Sequence, residues 1–350
     1  MTARPGVSVV VPVFNGAETL GDTLASIAAQ ADGRGPFEIL VVDDGSRDRS
    51  RAIARDAASR APIRVVDGPR RGAAAAVNCG VREARYPIVA QVDQDVALDE
   101  GWLERVVACF DDQAVGAVQG RYTARRSDAF FSRVMALDLE QRYERLSGDV
   151  NHVCTGNTAY RADALAAVGL LNESLGYGYD NDLSYRLAAA GYRLRFCRDA
   201  RSRHRWREGW SGYLTQQYGF GYGRLDVVAA HPARFAGDDV SPLSMMSHPV
   251  LAATAVACVL ISMTSTWRGV SGAPFVWAAG LIVLGLAVER AVAGVRAWRR
   301  FGDPAALAFP VVHLARDLAW VAAMAAWSTR RLLRRPLTPS ASMTPRAVPE

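Results

Sequence analysis

Val7-Ser-Val-Val-Val-Pro-Val13, followed at once by Phe14-Asn-Gly16, is the stretch that decides how this chain folds. Its nearly unbroken run of β-branched residues suits a strand buried on both faces, the kind found inside parallel sheets. The same device recurs at Phe37–Val42, Ile63–Val66 and Ile88–Val92, with helical periodicity over Glu18–Ala31, Ser50–Arg60 and Ala73–Ala84 between them. Strand alternating with helix over the first ~100 residues predicts a doubly wound, mostly parallel, Rossmann-like α/β sheet. Ligands of such sheets gather at the C-terminal ends of strands. Here those ends carry Asp43-Asp-Gly-Ser46 and Asp93-Gln-Asp95.

Further along, Val115–Tyr122 suits another strand and Ser127–Leu146 a long helix. Val153–Tyr160 reads as strand and turn, Asp182–Ala190 as a helix closed by Gly191, and Tyr192–Phe196 as a late strand. Arg205–Tyr222 interleaves Trp206, Trp210, Tyr213, Tyr218, Phe220 and Tyr222 with Arg and Gly, which fits a helix lying in a membrane interface. Trp102 is expected to pack in the core.

Three apolar runs follow. Pro249–Thr266 and Phe275–Val288 barely reach spanning length, and Ala305–Trp327 is longer but carries Pro310, His313, Arg316 and Asp317. Arg268 alone lies between the first two. Arg290, Arg296, Arg299 and Arg300 follow the second, and Arg330, Arg331, Arg334 and Arg335 the third. The positive-inside rule puts both later clusters in the cytoplasm. The expectation is therefore a multi-pass inner-membrane protein with two spans, a re-entrant or interfacial third segment and a cytoplasmic catalytic domain; three plain spans with the tail outside, or two or three core helices of a soluble protein, are the alternatives. The expected boundaries are 1–204 for the catalytic domain, 205–246 for the interface helix and linker, 247–335 for the anchor, and 336–350 for a disordered Pro/Ser/Thr-rich tail.

The 350 residues carry a formal charge of +6, and every basic residue besides His is Arg. Much of that excess lies at 290–335 beside apolar sequence, which points to membrane lipid as a partner and away from nucleic acid. Five scattered cysteines without a CxxC pair predict a reducing compartment and free thiols. The N-terminus lacks the charged and apolar regions of a signal peptide.

Asp93-Gln-Asp95 places two carboxylates on one side of an extended segment, where they can share a divalent cation. A departing diphosphate needs such a cation to take up its negative charge. The carboxylates at 43–44 could contact a base or ribose; as a plain alternative they cap the turn before Ser50.

Taken in order, Pro12-Val-Phe-Asn-Gly16, Asp43-Asp-Gly-Ser46, Arg71-Gly72 with Asn78-Cys-Gly80, Asp93-Gln-Asp95, Thr155-Gly-Asn-Thr-Ala-Tyr-Arg161 and Asp180-Asn-Asp-Leu-Ser-Tyr-Arg-Leu187 resemble the family 2 glycosyltransferases of the GT-A fold. The resemblance covers roughly residues 5–225. The apolar tail is similar to that of anchored members of the exopolysaccharide, succinoglycan-assembly type. It implies that Pro12, Phe14 and Asn15 line a nucleotide pocket, that Asp43 or Asp44 holds base or ribose, and that Asn78 supports that pocket. It implies Asp93 at ribose or metal, Asp95 on Mn²⁺ or Mg²⁺, and Gly156 and Asn157 at the donor–acceptor junction. Asp180 would be the general base of an inverting transfer from a nucleotide-diphosphate sugar to a lipid-linked or glycan acceptor. Asp182 is its rival, read here as an N-cap or first-turn acid. His204 matches a place where relatives often carry His, as metal ligand or diphosphate contact; otherwise it is a surface residue among Arg. His152 and His231 have no distinguishing context.

Three departures stand out. Family members usually carry Glu-Asp where this chain has Tyr179-Asp180. The frequent Arg before the pocket Asn is Val77. The QxxRW motif of processive synthases is missing from Gln216–Arg224, which favours transfer of one sugar per acceptor. The competing functions are a sugar-nucleotide hydrolase or nucleotidyltransferase using the same acids, and a membrane scaffold with a degenerate transferase domain.

Overall fold

In the computed structural model, residues 4–31, 33, 35–124 and 128–333 are described; the proposed tail after 335 lies outside them. They form two compact units, Met1–Thr123 with Tyr143–Arg205, and Ala124–Arg142 with Trp206–Arg335. The first unit opens with β1 (Val7–Val13), α1 (Leu20–Ala28), β2 (Phe37–Asp43), α2 (Ser50–Ala58), β3 (Ile63–Asp67), α3 (Ala73–Glu83) and β4 (Ile88–Val92). A short β5 (Val96–Leu98), α4 (Trp102–Ala108) and β6 (Val115–Tyr122) follow. The chain then makes α5 (Phe130–Tyr143), almost all of it in the second unit, and returns through β7 (Gly148–Val150), β8 (Asn157–Arg161), α6 (Ala162–Ala167), α7 (Tyr179–Ala189) and β9 (Arg193–His204).

The strands form one mixed sheet in the order β3-β2-β1-β4-β8-β6-β9-β5, with β7 also on β9. β3, β2, β1 and β4 are parallel, as the buried β-branched runs predict. β8 enters antiparallel to both β4 and β6, and β6 pairs parallel with β9. Val7, Val10, Leu40 and Val42 are wholly buried. Val10, Leu40, Val42 and Val89 share one core with Leu183 and Leu187 of α7. Each such side chain contributes about 1.5–3 kcal/mol relative to exposure. That core seats α3 and α7 on the sheet, so the residues at their first turns have fixed positions.

In the second unit α5 joins α8 (Gly209–Ala230), α9 (Leu243–Trp267), α10 (Ala273–Phe301) and α11 (Phe309–Leu332). Leu243–Trp267, Ala273–Phe301 and Pro304–Leu332 are each long and apolar enough to cross a membrane. The third segment forms no re-entrant turn. It is one continuous helix after a short 3₁₀ lead, because Pro310 falls in its first turn, where the missing N–H was unpaired in any case. α8 lies along α11 through Gly221, where a β-carbon would press on Trp320. Tyr213 of α8 is buried and donates to the Val312 carbonyl at 3.2 Å, so part of its aromatic set packs inside the unit. Trp210 remains 46% exposed.

Arg316 and Asp317, the charges in the apolar stretch of α11, are paired inside this unit, and His313 lies beside the same acid as Arg316. Asp317 binds Arg290 of α10, Arg316 lies 3.9 Å from Asp138 of α5, and His313 lies 3.8 Å from the same acid. Asp317 and Arg290 are each 1% exposed, so removing one partner strands the other charge in an apolar site. Asp317→Ala should lower stability by about 3–5 kcal/mol, read as a drop in thermal unfolding in detergent, whereas the double variant Arg290→Met/Asp317→Leu should recover most of the loss. An unchanged midpoint in Asp317→Ala would mean that the pair does not form.

Candidate active site

β4 delivers Asp93, Gln94 and Asp95 to its C-terminal end. The Asp93 N–H donates to the Gly156 carbonyl at 3.1 Å, and its Oδ1 accepts from Gln91 Nε2 at 3.1 Å. Gly156 has φ of 93°, and a β-carbon there would collide with the Asp93 carboxylate and crowd the Tyr122 hydroxyl. Only glycine fits both demands. Burial first, and then the charge of Asp95, push the Asp93 carboxyl up to about 6, against the pull of His204 and Gln91; Asp180 adds to the push.

Asp95 Oδ1 lies 3.1 Å from His204 Nε2. The strand register sets this contact, since β5 pairs Val96 with His204 one residue beyond Asp95. Burial pulls the His204 imidazole down. The charge and hydrogen bond of Asp95, with help from Asp93, outweigh that and hold it above its usual value. Asp93, Asp95 and His204 thus feel one another's charge, and Asp95 touches His204 directly.

On the expected nucleotide side, Pro12 lies opposite Val42 in the β1–β2 register, and Phe14 is 38% exposed. Asn15, with φ of 50°, accepts from the Arg47 N–H at 2.8 Å while its own N–H donates to Ser46 Oγ at 3.0 Å. Asp43 accepts from the Ser46 N–H at 2.9 Å, so the turn-capping role is present. Asp44 accepts from the Arg70 and Gly72 N–H groups at 2.6 and 2.8 Å, tying the loop before α3. Asn78 donates to the Leu171 carbonyl and to Glu173, and accepts from the Leu171 N–H. It clamps the segment after α6.

Asp180 sits in the first turn of α7 and accepts its neighbour's N–H at 2.9 Å. Tyr179 beside it bonds Thr155. Asn157, expected at the donor–acceptor junction, and Asp182, the rival base, both turn inward. Asn157 is fully buried and joins three strands, accepting from the Gly120 N–H at 2.7 Å and donating to Ser202 Oγ at 2.6 Å. Asp182 is 4% exposed and bound to Arg186 at 2.7 Å, which in turn holds the Val168 and Leu170 carbonyls. Gly178 takes the N-cap position of α7, so of the two readings Asp182 is the first-turn acid, turned inward as a strut of the helix.

Three residues at the site were not singled out from sequence. Gln94 accepts from the Phe14 N–H at 2.9 Å and donates to the Phe14 carbonyl at 3.2 Å, fastening the β1–α1 loop to the acidic segment. Its available signal was an amide between two acids. His152 Nε2 stands 3.8 Å from Asp180 Oδ2, and Cys154 lies close by. Their only signal was an i, i+2 pair just before Thr155-Gly156.

The glycosyl transferase family 2 model matches residues 8–169, which includes β1 to α6 and leaves Asp180 and His204 beyond its end. Glycosyltransferase AglE of Haloferax volcanii is 31% identical over 235 residues, 64% of this chain and 74% of that protein. The pre-mycofactocin glycosyltransferase of Mycobacterium tuberculosis is 30% identical over 254 residues, 69% of this chain; the chain spans about half that protein's length, 51%. Among solved structures, mannosyltransferase PcManGT from Pyrobaculum calidifontis, in complex with GDP-Man and Mn²⁺, has a similar fold. Its TM-score is 0.59 at 18% identity, over 95% of this chain and 88% of that one. The chain belongs to glycosyl transferase family 2 and is an enzyme of the glycosyltransferase type.

The raised pKa of Asp93 has a stability consequence in the metal-free protein. A carboxyl whose folded pKa exceeds its unfolded value of 3.8 contributes stability fully present below pH 3.8 and lost as pH rises through about 6. The loss is at most about 3 kcal/mol. Asp93→Asn should flatten the decline in unfolding free energy between those pH values; an unchanged slope would mean that Asp93 titrates normally.

Proposed function

We propose that this chain is an inverting, metal-dependent glycosyltransferase that moves one sugar from a nucleoside-diphosphate sugar to a lipid-linked or glycan acceptor at the inner face of a membrane. The observation that carries this reading is the meeting of Asp93, Asp95 and His204 within electrostatic range of Asp180, on a fold whose β1–α1 and β2–α2 loops lie at the same strand ends. Asp95 and His204, with Asp93, would hold Mn²⁺ or Mg²⁺; the repulsion that raises Asp93 and the matching pull on His204 suit a cation there. The ion, when bound, neutralises charge growing on the departing diphosphate.

The chain's own residues supply the rest. Phe14 and Asn15, fixed through Gln94 and Ser46, shape the nucleotide side, with Asp43 and Asp44 holding the loops around it. Asp180 takes the proton of the acceptor hydroxyl as its oxygen attacks the anomeric carbon from the face opposite the diphosphate. The new C–O bond forms as the bond to the diphosphate oxygen breaks, which inverts the anomeric centre. Tyr179 fills the place of the family's Glu and leaves Asp180 in the first turn of α7, where a carboxylate is favoured.

One sugar per acceptor is the reading for Gln216–Arg224 as well. Arg224 is committed to Asp238 at 3.1 Å and Gln217 is 2% exposed. For the membrane, α9 and α10 form the spanning hairpin. α11 packs through its buried pairs at the inner face, which keeps Arg296, Arg299, Arg300, Arg330 and Arg331 in the cytoplasm with the catalytic unit. A role in exopolysaccharide assembly fits this anchored form.

Asp95→Asn should abolish Mn²⁺-dependent donor binding, measured by thermal shift with nucleoside diphosphates with and without Mn²⁺; unchanged affinity would refute the metal role. Asp180→Asn should leave that binding intact and lower turnover at least ~100-fold. Near-normal turnover would remove Asp180 from the reaction.

A further inference from the structure

The proposed transfer leaves two neighbours of Asp180 without a task. His152, Cys154 and Asp180 each offer one ligand atom, and the three atoms all lie within 4.8 Å of one another. Two anchors hold the group in place. Val153, between the His and the Cys, is 1% exposed in the main core, and its N–H and carbonyl both bond Ser184 Oγ, at 3.1 and 3.2 Å. The Cys154 N–H donates to Gln119 Oε1 at 2.7 Å. His152 is itself 5% exposed and Cys154 is partly buried. Ser184 and Asp180 are one turn apart on α7, so the anchor that fixes Val153 also holds Asp180 near these two side chains.

We propose that His152, Cys154 and Asp180 form a site for a thiophilic divalent cation of the Zn²⁺ class, and that its occupancy takes the Asp180 carboxylate out of transfer. The donor set is imidazole nitrogen, thiolate sulfur and carboxylate oxygen. Such a set selects zinc-like ions, whereas Mn²⁺ and Mg²⁺ prefer oxygen. Tetrahedral zinc spaces nitrogen, oxygen and sulfur ligands about 3.3–3.6 Å apart, within about 1.5 Å of every separation here. The 3.8 Å between His152 Nε2 and Asp180 Oδ2 is already close to that spacing. Binding releases the Cys154 thiol proton and leaves the fourth position to water. The Asp93, Asp95 and His204 group contains no sulfur, so the two sites sort ions by hardness. The inhibitory consequence rests on the reading of Asp180 as base; the site itself does not.

The test uses the full chain in detergent, stripped with a chelator and titrated with Co²⁺ as a spectroscopic probe and Zn²⁺ as competitor. The wild-type protein should show a thiolate-to-cobalt charge-transfer band that Zn²⁺ displaces. With Mn²⁺ in excess, Zn²⁺ should suppress turnover while nucleoside-diphosphate binding persists. Cobalt and zinc affinity should fall at least ~10-fold in both Cys154→Ser and His152→Ala. No band in the wild type, or affinity unchanged in both variants, would overturn the site. So would a band that survives Cys154→Ser and is lost in Cys197→Ser, which would put the ion at Cys197, whose thiol is hydrogen-bonded to that of Cys109. Zinc held by these residues with turnover undiminished would leave the site standing, overturn its coupling to transfer, and remove Asp180 as base.

Discussion

Two like charges crowded at the end of one buried strand are the constraint around which the catalytic unit is organised. Asp93 and Asp95 raise each other's cost, and Asp93 carries it as a carboxyl pushed up to about 6. The surroundings are arranged to tolerate this. Gly156 has no side chain where the Asp93 carboxylate sits, Gln91 donates to it, and β9 brings His204 against Asp95. Gln94 extends the arrangement by tying the β1–α1 loop to the same segment. The proposed metal role of Asp93, Asp95 and His204 rests on this crowding, since a cation would relieve the repulsion between the two carboxylates.

The mixed sheet explains how distant residues meet. The parallel half supplies loops at its C-terminal edge, and the antiparallel β8 then carries Gly156 back to the end of β4. β9 runs the length of the second half, pairing Leu194 with Val150 of β7 at one end and His204 with Val96 of β5 at the other. α7, held through Leu183 and Leu187 in the core, presents Asp180 from its first turn. The membrane unit solves a different problem. Its charged residues on α10 and α11 sit in apolar sequence and are kept by partners across helices, Asp317 with Arg290 and Arg316 with Asp138.

Much of this was legible in the residues, and the rest was hidden for physical reasons. β1 to β4 could be read because strands buried on both faces need continuous β-branched runs, and their acidic ends stood out against that background. The antiparallel entry of β8 left no comparable trace, since pairing direction depends on long-range register and not on local composition. β5 and β7 are too short to carry a periodic signal. Asn157 and Asp182 sit in motifs that suggested direct roles, but a buried amide and a buried acid had nearer partners in Gly120, Ser202 and Arg186. His152 and Cys154 gained meaning only when α7 brought Asp180 to them. Pro310 looked like an interruption until its place in the first turn of α11 made it an ordinary helix start.

The most direct test is a structure of the full chain with Mn²⁺ and a nucleoside diphosphate, using anomalous scattering to locate the manganese. The account predicts a single strong peak bonded to Asp95 and to the diphosphate, with His204 or Asp93 completing the protein ligands and the Asp180 carboxylate facing the sugar position from the other side. Manganese bound elsewhere, or Asp180 opening onto a cavity that the nucleotide does not reach, would contradict it.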